Sequence, residues 1–158
     1  PTLTTVNGVP TLVVSYANAG EVQERGVEIG FGYGVTPEFR IDGSYTFFDF
    51  EVENQATGDA LLPNTAKHKG AIALTYTGLQ GFDAALNARL VDSYDWAAGV
   101  FSGTVPSSQF IDLMVGYRVN NSLRVFANTT NLLDQKRFQL YGGSVIGRRI
   151  LAGATATF

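Results

Sequence analysis

Residues 111–130 read Ile111-Asp112-Leu113-Met114-Val115-Gly116-Tyr117-Arg118-Val119-Asn120-Asn121-Ser122-Leu123-Arg124-Val125-Phe126-Ala127-Asn128-Thr129-Thr130. Ile111, Leu113, Val115, Tyr117 and Val119 stand at every second position, opposite Asp112, Met114, Gly116 and Arg118. After Asn120-Asn121 the alternation resumes, with Leu123, Val125 and Ala127 against Arg124, Phe126, Asn128 and Thr130. Successive side chains of a strand point to opposite faces, so each run carries one apolar and one polar face. Two such runs joined by a short polar turn predict an antiparallel hairpin.

The same period of two runs outward in both directions. It holds over Arg25–Tyr33, Phe39–Phe47, Gly70–Tyr76, Asp83–Leu90 and Ile150–Phe158, which makes seven predicted strands. An eighth strand-like stretch, Thr11–Tyr16, precedes Ala17-Asn18-Ala19-Gly20 and reads either as a separate strand or as the outer half of the second one. Connections alternate in length: short near 35–38, 78–81 and 120–121, long near 55–66, 97–108 and 134–147. That is the pattern of an up-and-down meander with one trimmed and one elaborated rim. No stretch has helical period or linker composition.

Composition narrows the function classes. Of 158 residues, 16% are charged, against about 25% in ordinary soluble domains, and 18 are Gly. The net charge of −3 gives no basic surface for nucleic acid. With no Cys and one His, disulfide frameworks, thiolate sites and multi-histidine metal sites are excluded. The chain starts at Pro1 without a targeting segment, which reads as a processed chain or a fragment. No apolar run is long enough for a membrane helix, but transmembrane strands of about 9–11 alternating residues need none.

Aromatic placement favours the membrane. Tyr33, Phe39, Tyr76, Phe82 and Tyr117 all flank the short turns, and Phe158 ends the chain at the same level. Tyr45, Phe47, Tyr94 and Trp96 lie toward the long connections. Two belts of rings around an aliphatic band are the girdles of a transmembrane barrel. The expected fold is therefore all-β: an antiparallel up-and-down transmembrane segment of seven to eight strands, with short periplasmic turns and long extracellular loops. Ile29, Phe31, Ile41, Leu74, Leu86, Leu113 and Val125 are expected on lipid, with Glu28, Asp42, Asn87, Asp112 and Arg124 inward. Residues alone leave open a small complete eight-stranded barrel with a structural or adhesion role.

Four stretches carry a family resemblance. Asn18-Ala-Gly20 followed by Gly26-Val-Glu28, Leu62-Pro-Asn-Thr-Ala-Lys-His-Lys69, Asn131-Leu-Leu-Asp134, and Gly147-Arg-Arg-Ile150 running to Phe158 resemble, in order and spacing, the C-terminal strands of TonB-dependent outer-membrane receptors. Ala66 stands where that family often has Pro, and Ala156 where a Tyr is frequent. Such receptors build about 22 strands around a plugged lumen. The resemblance implies that residues 1–158 are the C-terminal barrel portion without the plug domain. It also implies uptake of a scarce ligand, such as a ferric siderophore, driven by the TonB protein across a Gram-negative outer membrane. The implied partners are outer-membrane lipid, the plug domain, TonB and the barrel-assembly machinery. Phe158 and Ile150 are the implied assembly signal of the last strand.

No residue set points to catalysis. One His without a nucleophile motif supports no triad, and His68, flanked by Lys67 and Lys69, reads as a strand-entry residue. Gly26, Gly30, Gly32 and Gly34 lie within a strand and open no helix, so they are no phosphate loop. Glu51, Glu53, Asp59, Asp92 and Asp95 read as solvated loop charge, without calcium-loop spacing. Arg40, Arg89, Arg118, Arg124 and Arg149 share a face with Asp42, Asp83 and Asp112, which predicts an ion-pair ladder on the inner wall. No cofactor and no metal is expected, and the ligand-binding residues stay open.

Overall fold

The computed structural model describes residues 2–13, 20–55, 61–78, 80–98 and 101–158. These described residues form eleven strands: β1 (Thr2–Val6), β2 (Val9–Val13), β3 (Gly20–Gly34), β4 (Phe39–Gln55), β5 (His68–Thr77), β6 (Phe82–Val91), β7 (Tyr94–Ala98), β8 (Phe101–Val105), β9 (Ser108–Arg118), β10 (Leu123–Thr130) and β11 (Arg149–Ala156). Seven of them form one antiparallel sheet in the order β11-β10-β9-β6-β5-β4-β3. All seven alternating segments lie in this meander. The sheet is open: β3 and β11 are its edges and do not pair with each other.

Within the described residues, Thr11–Tyr16 adds no strand to this sheet: residues 11–13 belong to β2, which pairs with β1, and residues 14–16 lie outside the described set. The β1–β2 turn is Asn7-Gly8, with φ of 54° and 82°. Positive φ at both central residues is what a tight two-residue hairpin turn demands.

The register sorts the faces. One unbroken cross-strand row runs Leu74 to Leu86 to Leu113, and Ile41 pairs with Leu74. Ile29, Phe31, Ile72, Val115, Val125 and Ile150 share that face. It is uncovered: Ile29 is 59% exposed and Ile150 69%. A continuous aliphatic sheet face without a protein cover belongs to lipid.

The other face is polar. Arg124 donates to Asp83 at 2.6 Å, Arg40 to Asp42 and Arg89 to Asp112 at 3.0 Å, so three of the five expected arginines pair; among the described residues Arg118 and Arg149 join no ion pair. Arg124 also lies over the Phe126 ring and Arg89 over that of Phe110. Small residues make room for this layer. A Cβ on Gly116 would stand 2.6 Å from the Asp83 carboxylate, and one on Gly32 2.6 Å from that of Asp42. Gly116→Val should therefore displace the Arg124–Asp83 pair, whose ends are flexible and partly exposed, and cost about 1 kcal/mol. The check is urea unfolding of the folded barrel, and unchanged stability would contradict the role given to Gly116.

The long-loop rim inverts this polarity. Through Val27 and Phe47 the outward face is apolar; beyond them it carries Arg25, Asp49, Gln23 and Glu51. The inward face of the same ribbon turns apolar, with Phe48, Phe50, Val52 and Val22. Arg25 bonds Glu51 at 3.2 Å, and Lys67 bonds Asp49 at 2.9 Å. Water thus replaces lipid just past Phe47. From Phe39 to Phe47, at about 3.3 Å per residue and a tilt near 40°, the band is roughly 20 Å high, close to the ≈ 25 Å of outer-membrane barrels.

Candidate functional site

The five rings of the short-turn rim all occupy the apolar face. Phe39 is paired with Tyr76, and Phe82 with Tyr117. The Tyr76 and Phe82 rings are 6.0 Å apart, while Tyr33 is 64% exposed. Phe158 follows β11 and projects fully exposed, beside the hydrogen bond from Thr157 N to the Ser122 carbonyl. Ile150 lies at the far end of β11, paired with Thr129. The structure does not bring Ile150 and Phe158 together.

The opposite belt differs from the expectation. Tyr45 and Phe47 remain on the apolar face and enclose His68, whose Nδ1 is 2.6 Å from the Tyr45 hydroxyl. Tyr94 and Trp96 leave the wall altogether. They sit on the separate β7–β8 hairpin, whose second strand lies in the long connection read near 97–108. Burial pushes the Tyr94 phenol above its ordinary value. Of the acidic loop residues, Glu51 is paired as above, Asp95 accepts from Thr104 and Asp92 from the Ser93 amide. Asp59 lies outside the described residues.

The long connection 131–148 folds over the polar face. Asn131 is 6% exposed and left-handed, with φ of 55°. Its carboxamide donates to the carbonyls of Gln135 and Ile146 and accepts from the Gln135 amide. Its own amide donates to Asp112 at 2.8 Å, tying the loop to the Arg89–Asp112 pair. Asp134 accepts from the Arg148 amide at 2.8 Å and closes the neck. These bonds explain physically why Asn131 and Asp134 bracket an otherwise unremarkable motif.

That Arg148 amide is also the main reason the Asp134 carboxyl lies below its ordinary 3.8. The folded loop favours the carboxylate, so its contribution is complete above pH 3.8 and is lost as pH falls through the lowered value. Amide exchange in 131–148 should be protected at neutral pH and released in that acid window. Asn at 134 should flatten this dependence, and an identical acid profile would rule out Asp134 as its source.

Between loop and wall lies a pocket of about 300 Å³, open to the long-loop rim. Arg89, Asp112, Arg137, Gln139 and Arg149 contribute its polar lining, with Phe110 and Leu140 as apolar parts. A neighbouring pocket shares Arg89, Phe110 and Gln139 and adds Lys69 and Tyr94. Among the described residues, no carboxylate lies within 4.0 Å of Arg137, Arg149 or Lys69. Cations therefore outnumber anions, and the arrangement suits an anionic ligand carrying aromatic or apolar surface. Alternation shows only which strand residues face inward. It does not single out Arg137 or Gln139, and Tyr94 reads from the sequence only as a belt residue and Asn64 only as part of the 62–69 motif; their roles depend on how the loops fold back.

Comparison with known proteins agrees with this architecture. The family model described as TonB dependent receptor-like, beta-barrel matches residues 2–132. The metal-pseudopaline receptor CntO of Pseudomonas aeruginosa is 28% identical over 128 residues, covering 77% of this chain and 18% of the relative. The probable TonB-dependent siderophore receptor PiuA of Acinetobacter baumannii is 27% identical over 139 residues, covering 78% and 18%. The solved ferric-catecholate import receptor Fiu of Escherichia coli superposes with a TM-score of 0.72 at 24% identity, over 88% of this chain and 21% of that one. The PiuA structure gives 0.71 at 25% identity, over 87% and 22%. The chain thus spans about a fifth of the length of these relatives.

Proposed function

The chain belongs to the TonB-dependent receptor β-barrel family, and from that premise we propose that it is the C-terminal barrel portion of an outer-membrane uptake receptor. The full protein carries a plug domain and takes up a siderophore or metallophore complex, with energy delivered through TonB. This chain contributes wall strands, the extracellular loops and one side of the ligand vestibule. Its sites are for binding and transport, not catalysis.

The observation that carries this reading is the cation-rich pocket of Arg89, Arg137 and Arg149 behind an exposed aliphatic wall. Scarce metals travel as chelates whose donors are carboxylates, catecholates or hydroxamates, and such complexes are commonly anionic. A guanidinium in a partly desolvated vestibule binds them by charge-assisted hydrogen bonds. CntO, PiuA and Fiu carry siderophore or metal-chelate receptor descriptions, which supports the ligand class.

The test is uptake of radiolabelled metal, as ferric catecholate and ferric hydroxamate complexes and as a metal–pseudopaline complex. Iron-starved cells produce the full-length protein with and without TonB. TonB-dependent uptake of one complex is expected, with R137A/R149A raising the half-saturating concentration about tenfold or more, as for two charge-assisted bonds. TonB-independent uptake, or no uptake of any complex, would overturn the reading.

A further inference from the structure

We propose that Asn64 and Asn131 are positioning residues that clamp three extracellular segments into one body over the vestibule. The segments are 61–67, the β7–β8 hairpin and loop 131–148. The proposal rests on the reading of the Arg137 pocket as ligand-facing.

Asn64 is left-handed, with φ of 54°. Its carboxamide donates to the Ala97 carbonyl at 2.9 Å and accepts from the Ala97 amide at 2.8 Å. One side chain thereby makes both halves of a backbone bridge, binding segment 61–67 to β7. The hairpin in turn holds loop 131–148. Tyr94 donates its hydroxyl proton to the Gln139 carbonyl at 2.6 Å. Trp96 and Tyr141 have ring centroids 6.5 Å apart, and Phe138 meets Tyr141 edge-on at 6.0 Å. The Tyr141 ring lies so close over Gly103 that any Cβ there would collide with it. Asn131 then closes the loop on itself and on Asp112.

Burial marks the same body. Among the described residues, the buried apolar side chains are Ala66, Val105 and Phe110, and the buried polar ones are Ser108 and Asn131. All five lie in these segments or on the wall directly beneath them, while the wall itself has lipid or lumen on either side. The clamps thus convert separate loops, each entropically free to move apart, into a cooperative unit. Arg137 and Gln139 ride on that unit. Their height over Arg89 and Asp112 depends on Asn64, whose own bonds go only as far as Ala97.

The experiment is hydrogen–deuterium exchange on the full-length protein in outer-membrane vesicles, without ligand. Asn64→Ala should raise exchange about fivefold to tenfold across 136–147 as well as in 61–67 and β7–β8, as for the loss of one or two net hydrogen bonds. Strands β5 and β6 should be unchanged. Asn64→Asp, which still accepts from the Ala97 amide, should give a smaller rise. If a variant fails to insert, Tyr94→Phe replaces it, removing one hydroxyl and the link to Gln139 with the same expected rise in 136–147. Exchange that rises only in 61–67 and β7–β8 overturns the proposal. This readout needs no ligand and no TonB, so it can fail while the uptake reading stands, and the reverse.

Discussion

Leu86→Arg is expected to destabilise the membrane-inserted barrel by about 2–4 kcal/mol, the range for arginine on the lipid face near the bilayer midplane. Leu86 pairs with Leu74 on one side and Leu113 on the other, in the middle of the aliphatic band. A guanidinium there has leucines on both neighbouring strands, Leu74 and Leu113, and is too deep to reach water easily. The neighbouring residue provides the control. Asn87 is paired with Ala73 and Asp112 and points to the polar side. Asn87→Arg should be tolerated within about 0.5 kcal/mol, as for an ordinary polar-surface change. The measurement is urea unfolding of full-length protein in lipid, followed by loss of heat-modifiable migration. Equal effects of the two substitutions would overturn the assignment of faces.

Replacing Phe158 by Ala is expected to lower the amount of inserted receptor by about tenfold or more. A phenyl ring transferred out of water contributes about 1.5–3 kcal/mol. Phe158 is fully exposed beyond β11, so its ring is free for lipid or for the assembly machinery and contributes nothing to the chain's internal packing. The rest of β11 offers little besides Ile150, Leu151 and small residues. Phe101→Ala is the matched control, because that ring is also 66% exposed but sits on the β7–β8 hairpin. Both variants remove the same phenyl group. Only a positional signal at the end of the last strand makes Phe158 the costlier loss, and equal insertion would argue against such a signal.

The wall was legible because a strand's period of two is local. Each residue of Ile111–Val119 declares its face without knowledge of its neighbours in the sheet. Consecutive strands of a meander pair with one another, so pairing followed from chain order. Turns were legible for the same reason. Thr36 accepts from the Glu38 and Phe39 amides, and Asn120 from the Ser122 amide, each within a few residues. Asn7-Gly8 was equally readable and was missed: it is the strongest short hairpin signal, lying between the apolar pairs Val6 and Val9. The reading of Tyr94 and Trp96 as belt residues failed because a ring near a strand end has two possible homes. Alternation does not distinguish a lipid interface from a folded extracellular hairpin.

By itself, then, the sequence determined the meander, the two faces of its wall, the aromatic rim at the short turns and the family. These follow from periodicities and motifs shorter than one hairpin. Tertiary structure alone decided the polarity inversion past Phe47, the pairing of Arg124 with Asp83 over Gly116, and the pocket of Arg89, Arg137 and Arg149. It also decided the clamps of Asn64 on Ala97 and Asn131 on Ile146. The hydrogen bonds among these join residues that chain order leaves 15 to 41 positions apart. Their partners are selected by how the loops close and how the strands register, and no local period encodes that choice.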